Sequence, residues 1–151
     1  MAIAHPIIAD ILAKLQIPYK ISSMTLDLAC RALSPKRRRH VRQLQCEVMA
    51  NRTALLAALT QPPLIQGGVG RPLGGNSANF VVIPIFAHGS LDQPDDGRAM
   101  RIVERLRGAH GIAVRYIGRQ ANCKGCLRIT VGTIREIKAL ARALEQVVNE
   151  C

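Results

Sequence analysis

The stretch Cys126-Leu127-Arg128-Ile129-Thr130-Val131-Gly132-Thr133-Ile134-Arg135-Glu136 decides the fold, because its hydrophobic period changes in the middle. Leu127 to Val131 alternate, which predicts a strand with Leu127, Ile129 and Val131 on one face and Arg128 and Thr130 on the other. Thr133-Ile-Arg-Glu136 then has the spacing of a capping box, and Ile134, Ile137, Leu140, Ala141, Leu144 and Val148 follow at helical intervals. A half-apolar strand running into an amphipathic helix that can cover it is a unit of an α+β layer.

Working backwards, Ile112 to Tyr116 reads as a second short strand. It follows a helix capped by Asp95 or Asp96, with Ala99, Ile102, Val103 and Leu106 inward and its end at Gly108. His88 to Pro94 is a polar loop. Gly67 to Leu73, the turn Gly74-Gly75-Asn76, and Asn79 to Phe86 read as a β-hairpin, with Pro84 confined to an edge, a bulge or the strand's end. Before the hairpin the pattern is helical throughout. Pro6 opens an amphipathic helix through Leu15 that stops before Pro18, and an extended link runs through Tyr19. Ser22, Ser23 or Thr25 caps a second helix carrying Leu26, Leu28, Ala29, Ala32 and Leu33. Ser34-Pro35 starts a long one with Val41, Leu44, Val48, Leu55 and Leu59 on one face, ending at Gln61-Pro62-Pro63. The predicted fold class is therefore α+β, a small sheet covered by helices on one face and open on the other.

Composition bounds the function. The 151 residues carry 21 Lys plus Arg against 10 Asp plus Glu, a net charge of +11. An apolar content of 48% suffices for the core of a domain of this size. Only 3% is aromatic, which argues against reading single-stranded nucleic acid by base stacking. No apolar run is long enough to span a membrane and no leader pattern opens the chain, so a cytoplasmic location is expected. The five cysteines are odd in number, which favours reduced thiols. Cys123-Lys-Gly-Cys126 lacks a second ligand pair for zinc, and the strand that follows it is the wrong element for a redox helix, so a tight turn is expected there and no metal site.

Two features could carry chemistry. Arg128 projects mid-strand from the open face and Arg115 is placed similarly on the neighbouring strand, so the two either clamp an anionic ligand through planar, bidentate hydrogen bonds or sit at the edge in surface ion pairs. The basic run Lys36-Arg37-Arg38-Arg39-His40-Val41-Arg42 could instead bind a polyanion such as nucleic acid. Its place on an amphipathic helix makes a solvated face the stronger reading, and nucleic acid is not expected as a partner. No phosphate-binding glycine motif, metalloprotease motif or nucleophile elbow is present.

Cys126-Leu-Arg-Ile-Thr-Val-Gly-Thr133, with the Val-Arg-Tyr strand before it, resembles the C-terminal segment of the histidinol-phosphate aminotransferases, which are fold-type-I enzymes dependent on pyridoxal phosphate. Ala4-His5-Pro6-Ile7-Ile8, Ile17-Pro18-Tyr19, Ile21-Ser22-Ser23, Ala32-Leu33-Ser34-Pro35, Asn51-Arg52 and Ala78-Asn79-Phe80-Val81 extend the resemblance over essentially the whole chain, and the Gly-Cys before the Leu-Arg string is similar to the fungal branch. It implies residues 1–61 as a helical crossover from a truncated large domain and residues 62–151 as the small C-terminal domain. It implies that Arg128 holds a substrate α-carboxylate and that Arg115 helps hold the phosphate of histidinol phosphate. It gives Asn79 either a structural role or a ligand contact. The family's Schiff-base lysine stands in a Ser-Lys-x-Phe-Gly-like motif, which none of Lys14, Lys20, Lys36, Lys124 and Lys138 has. The resemblance therefore implies a chain with substrate-anchoring arginines, no catalytic or cofactor-binding residues of its own and no stable hold on pyridoxal phosphate. It implies no activity alone, and as partner a missing large domain or the other half of a homodimer.

Overall fold

The structure, a computed structural model, describes residues 4–15, 21–74 and 77–151. The link through Tyr19 and the turn at Gly75-Asn76 lie outside them. The chain forms two compact units, residues 1–43 and 44–151, divided within one helix.

The first unit is helical. α1 (Pro6–Lys14) starts on its proline, and α2 (Ser23–Ala32) is capped by Ser22, whose side chain accepts from the Thr25 amide. Neither helix buries a residue. α3 (Pro35–Leu59) is the long helix expected after Ser34-Pro35. Of its predicted apolar face only Leu55 and Leu59 are buried, whereas Val41 and Leu44 are exposed.

The second unit holds the sheet. After the short α4 (Pro62–Gln66) come β1 (Phe80–Pro84), α5 (Asp96–His110), β2 (Arg115–Tyr116), β3 (Cys126–Thr130) and α6 (Ile134–Glu150). The sheet order is β1-β3-β2, antiparallel throughout. Val81 and Ile83 of β1 and Leu127 and Ile129 of β3 face a core shared with Ile102 and Leu106 of α5, Leu140 and Leu144 of α6, and Leu55 and Leu59. The α+β class and the one-sided helical cover follow the alternation of β1 and β3. Asp95 caps α5, its carboxylate accepting from the Arg98 amide, and Thr133 with Glu136 forms the capping box of α6.

Several expectations need correction. Residues 67–73 form no ladder with β1. They meet it through one bridge, Leu73 with Val82, and the residue just past it through another, Val69 with Ile85, because Pro72 has no amide to donate and Gly68 lies at φ 84. Pro62-Pro63 does not merely stop α3; prolines at the first helical positions start α4. α5 passes through Gly108 and ends at Gly111, whose left-handed φ of 65 is the usual helix stop. The strand predicted over Ile112 to Tyr116 is reduced to Arg115–Tyr116, because the Ile112 amide donates back to Leu106 O and belongs to the helix end.

One buried charge joins the pieces of this unit. Arg98, 1% exposed, donates from Nη1 to Phe86 O at 2.7 Å and from Nη2 to Gly67 O at 2.8 Å and Val148 O at 2.7 Å. The Val148 carbonyl lies in the last turn of α6, where carbonyls lack helical partners and a cation also suits the helix dipole.

Candidate functional site

The open face of the sheet is built by the residues that alternate away from the core. Phe80 and Val82 of β1, Arg128 and Thr130 of β3 and Arg115 of β2 share it, because Val82 pairs with Arg128, Phe80 with Thr130, and Arg115 with Arg128. The two arginines singled out in the sequence are thus directly opposite each other on adjacent strands. Arg128 is half-buried and Arg115 exposed.

Two like charges at one cross-strand position destabilise a sheet. Neither arginine is neutralised: among the described residues the ion pairs are Arg31 with Asp27 at 2.9 Å and Arg105 with Glu150 at 3.3 Å. The Arg128 guanidinium instead lies over the ring of Phe80, 5.1 Å from its centroid, a cation–π contact that sets its direction without consuming its donors. Two adjacent guanidinium groups without carboxylate partners can receive an anion in bidentate fashion. Beside them a cleft of about 530 Å³ opens between Phe80, Val82, Leu73, Ala78, Ala121 and Cys123.

A second group of residues, not anticipated from the sequence, frames the arginines from below. Asp96 Oδ1 accepts from Gly125 N at 2.6 Å and from Tyr116 Oη at 2.8 Å. The Gly125 amide, then the Tyr116 hydroxyl, hold the Asp96 carboxyl below the usual carboxylate range, and the same bond pushes the Tyr116 hydroxyl up. Gly125 lies at φ 65, and its carbonyl accepts from Ile85 N at 2.9 Å. α3 supports the face from its far end, Asn51 donating to Gly132 O at 3.1 Å and Arg52 to Ala78 O at 3.0 Å. Asn79 contributes its backbone, its carbonyl accepting from Val131 N at 2.8 Å.

The other sequence candidates lie elsewhere. Cys123 and Cys126 flank the turn that delivers β3, with Cys126 N donating to Cys123 O at 2.9 Å. Cys126 is buried, and burial raises the pKa of its thiol, the opposite of an activated thiolate. The basic run occupies the first turns of α3, fully solvent-facing, with Arg38, Arg39 and Arg42 around an open cleft of about 340 Å³. Among the described residues no helix is long and apolar enough to cross a membrane.

A pyridoxal phosphate site needs a desolvated lysine amine to carry the aldehyde. The described residues do not fit that requirement, since Lys14, Lys36, Lys124 and Lys138 are all exposed, and Lys20 lies outside them. Asp96, a half-buried carboxylate beside β2, is already committed to Tyr116 and Gly125.

Residues 1–144 match the family model for Aminotransferase class I and II. The chain is 32% identical over 143 residues to the histidinol-phosphate aminotransferase of Schizosaccharomyces pombe, covering 95% of this chain and 36% of that protein. The Saccharomyces cerevisiae histidinol-phosphate aminotransferase is 30% identical over 154 residues, covering 99% and 38%. Among solved structures, that of histidinol-phosphate aminotransferase from Sinorhizobium meliloti in complex with pyridoxal-5'-phosphate superposes with a TM-score of 0.67 at 25% identity, over 94% of this chain and 34% of that one. A decarboxylase from Sulfurospirillum multivorans shares the fold, with a TM-score of 0.68 at 17% identity. The chain thus spans about a third of the length of the relatives it matches.

Proposed function

Since the chain belongs to the class I and II aminotransferase family, we propose that it is the C-terminal portion of a histidinol-phosphate transaminase, which exchanges an amino group between histidinol phosphate and 2-oxoglutarate. Residues 1–61 form the helical crossover and residues 62–151 the small domain. Arg128 anchors the α-carboxylate of the amino or keto acid and Arg115 the phosphate of histidinol phosphate. The observation that carries this reading is the pair of unneutralised guanidinium groups set directly opposite each other on the open sheet face. Pyridoxal phosphate, when bound in such an enzyme, supplies the electron sink for amino transfer. Its lysine belongs to a large domain, or to the other subunit of a homodimer, with which this chain must combine. The part played by the residues present is to bind and orient: the Phe80 ring holds the Arg128 fork toward the open side, where an incoming carboxylate displaces water from both nitrogens.

Two measurements test this reading. The purified chain, supplied with pyridoxal phosphate, histidinol phosphate and 2-oxoglutarate, should show no turnover. A chimaera in which it replaces the matching third of the Schizosaccharomyces pombe relative should be active, and Arg128→Lys within it should lower kcat/KM about 100-fold, because a single ammonium cannot reproduce a fork. Turnover by the chain alone, or an Arg128→Lys chimaera as active as its parent, would overturn the reading.

A further inference from the structure

The arrangement of Arg115 and Arg128 raises a mechanical question, because the repulsion between them works against the register that makes them neighbours. β2 is only two residues long, extended by one bond from Ile117 N to Cys126 O at 3.0 Å, so its own ladder is short. The hydrogen bonds of Asp96 supply the missing restraint. Tyr116 directly follows Arg115 on β2, and Gly125 directly precedes the first residue of β3. One carboxylate oxygen at the start of α5 therefore grips both strands, close to the arginine on each side.

The surroundings are shaped around that grip. A Cβ on Gly118 would collide with Tyr116 Oη and Asp96 Oδ1. A Cβ on Gly125 would come within 2.8 Å of Ile85 O and 2.9 Å of Asp95 N, at a backbone angle that already favours glycine. Gly118 thus leaves the space in which the carboxylate meets Tyr116, and Gly125 lets the turn before β3 lie against Ile85 and Asp95.

We propose that Asp96 is a positioning residue for the anion site: by accepting from the Gly125 amide and the Tyr116 hydroxyl it fastens β2 to β3 in the register that sets Arg115 and Arg128 side by side. It touches no substrate and acts through the two strands. The proposal rests on the reading of the arginine pair as one anchoring site, and it concerns how that site accepts a ligand bearing two anionic groups.

The test uses the full chain and two probes, inorganic phosphate and phosphoglycolate, the second carrying a phosphate and a carboxylate on one short stem. Binding is followed by the amide resonances of Arg115, Arg128 and Thr130, together with hydrogen exchange at Gly125, whose amide donates to Asp96, and at Ile117, whose amide donates to Cys126 O. In the unaltered chain phosphoglycolate should bind about tenfold tighter than phosphate, since its second anion meets the neighbouring arginine at high effective concentration. Asp96→Ala should remove that advantage, leave the phosphate affinity within about twofold, and accelerate exchange at Gly125 and Ile117. Asp96→Asn should restore the advantage, because the carboxamide oxygen still accepts from both donors. If Asp96→Ala loses the fold altogether, Tyr116→Phe carries the test and should show the same selective loss in part. Unchanged exchange and an unchanged phosphoglycolate advantage in these variants would overturn the positioning role. No advantage in the unaltered chain would overturn the two-arginine site instead, and the exchange data would still decide whether Asp96 holds the register.

Discussion

Replacing Arg98 with Met sets two opposing effects against each other. The guanidinium gives three short hydrogen bonds to the carbonyls of Phe86, Gly67 and Val148, so its removal leaves three acceptors in or near the core. An acceptor left unsatisfied by loss of its partner costs about 1–3 kcal/mol, for a gross loss of about 3–9 kcal/mol. Against this stands the cost of burying the charge: burial lowers the Arg98 pKa, the charges at Cys151 and Asp95 offset that only in part, and Nε has no partner. Recovering several kcal/mol of desolvation offsets part of the loss. The net expectation is a destabilisation of about 3 kcal/mol, a large part of the roughly 5–15 kcal/mol that holds a domain together. Urea unfolding followed by circular dichroism would read this as a midpoint lowered by about 1.5 M at a slope near 2 kcal/mol/M. Arg98→Lys should fall between, because it keeps the charge but reaches fewer carbonyls. An Arg98→Met midpoint within about 0.3 M of the parent would refute the reasoning, showing that desolvation had cancelled the hydrogen bonds.

Three further outcomes follow from local geometry. Thr133→Ala removes the oxygen that accepts from Glu136 N and should cost about 1 kcal/mol by the same unfolding assay. The partner carboxylate of Glu136 is held below its ordinary pKa first by the Thr133 amide and then by the Thr133 hydroxyl. A depressed folded pKa gives stability that is present above the unfolded value and lost as pH falls through the folded one. The stability gap between the parent and Glu136→Gln should therefore close below about pH 4, and a gap independent of pH would contradict it. Among the cysteines, iodoacetamide should label exposed Cys30 and Cys46 fastest and Cys126 last, since burial raises the Cys126 thiol pKa; mass spectrometry of the native chain reads the order, and early labelling of Cys126 would contradict it.

What the sequence discloses about this fold depends on range. α6 is legible because both its signals are local, a capping box and a helical period, and the alternation in β3 puts Arg128 on its correct face before any partner strand is known. Arg115 follows by the same reasoning. Elements whose extent depends on pairing are less legible. Residues 67–73 have the composition of a strand but meet β1 and the residue just past it at only two points, and Ile112 looks like the first residue of β2 although its amide closes the end of α5. The support of the candidate site was least accessible. Asp96 finds Tyr116 and Gly125 across 20 and 29 residues, and Arg98 reaches Val148 across 50. A spacing of that kind has no period, and Asp96 reads locally as one of two aspartates suited to capping a helix. The signal that could have found it is the glycine at 125, which a plain turn between two cysteines did not explain.

The shortness of β2 has a consequence for how the molecule behaves in a crowd. A sheet is vulnerable to adding strands from other chains wherever an edge offers a long row of free amides and carbonyls. Here one border offers only Arg115 and Tyr116, the first of them charged, which is too brief and too polar to template a foreign strand. On the other border Gly70 N and Leu73 N already occupy the carbonyls of Pro84 and Val82. The arginine proposed to meet a ligand thus also guards the rim, and a substitution there should show itself as a loss of solubility whether or not binding changes.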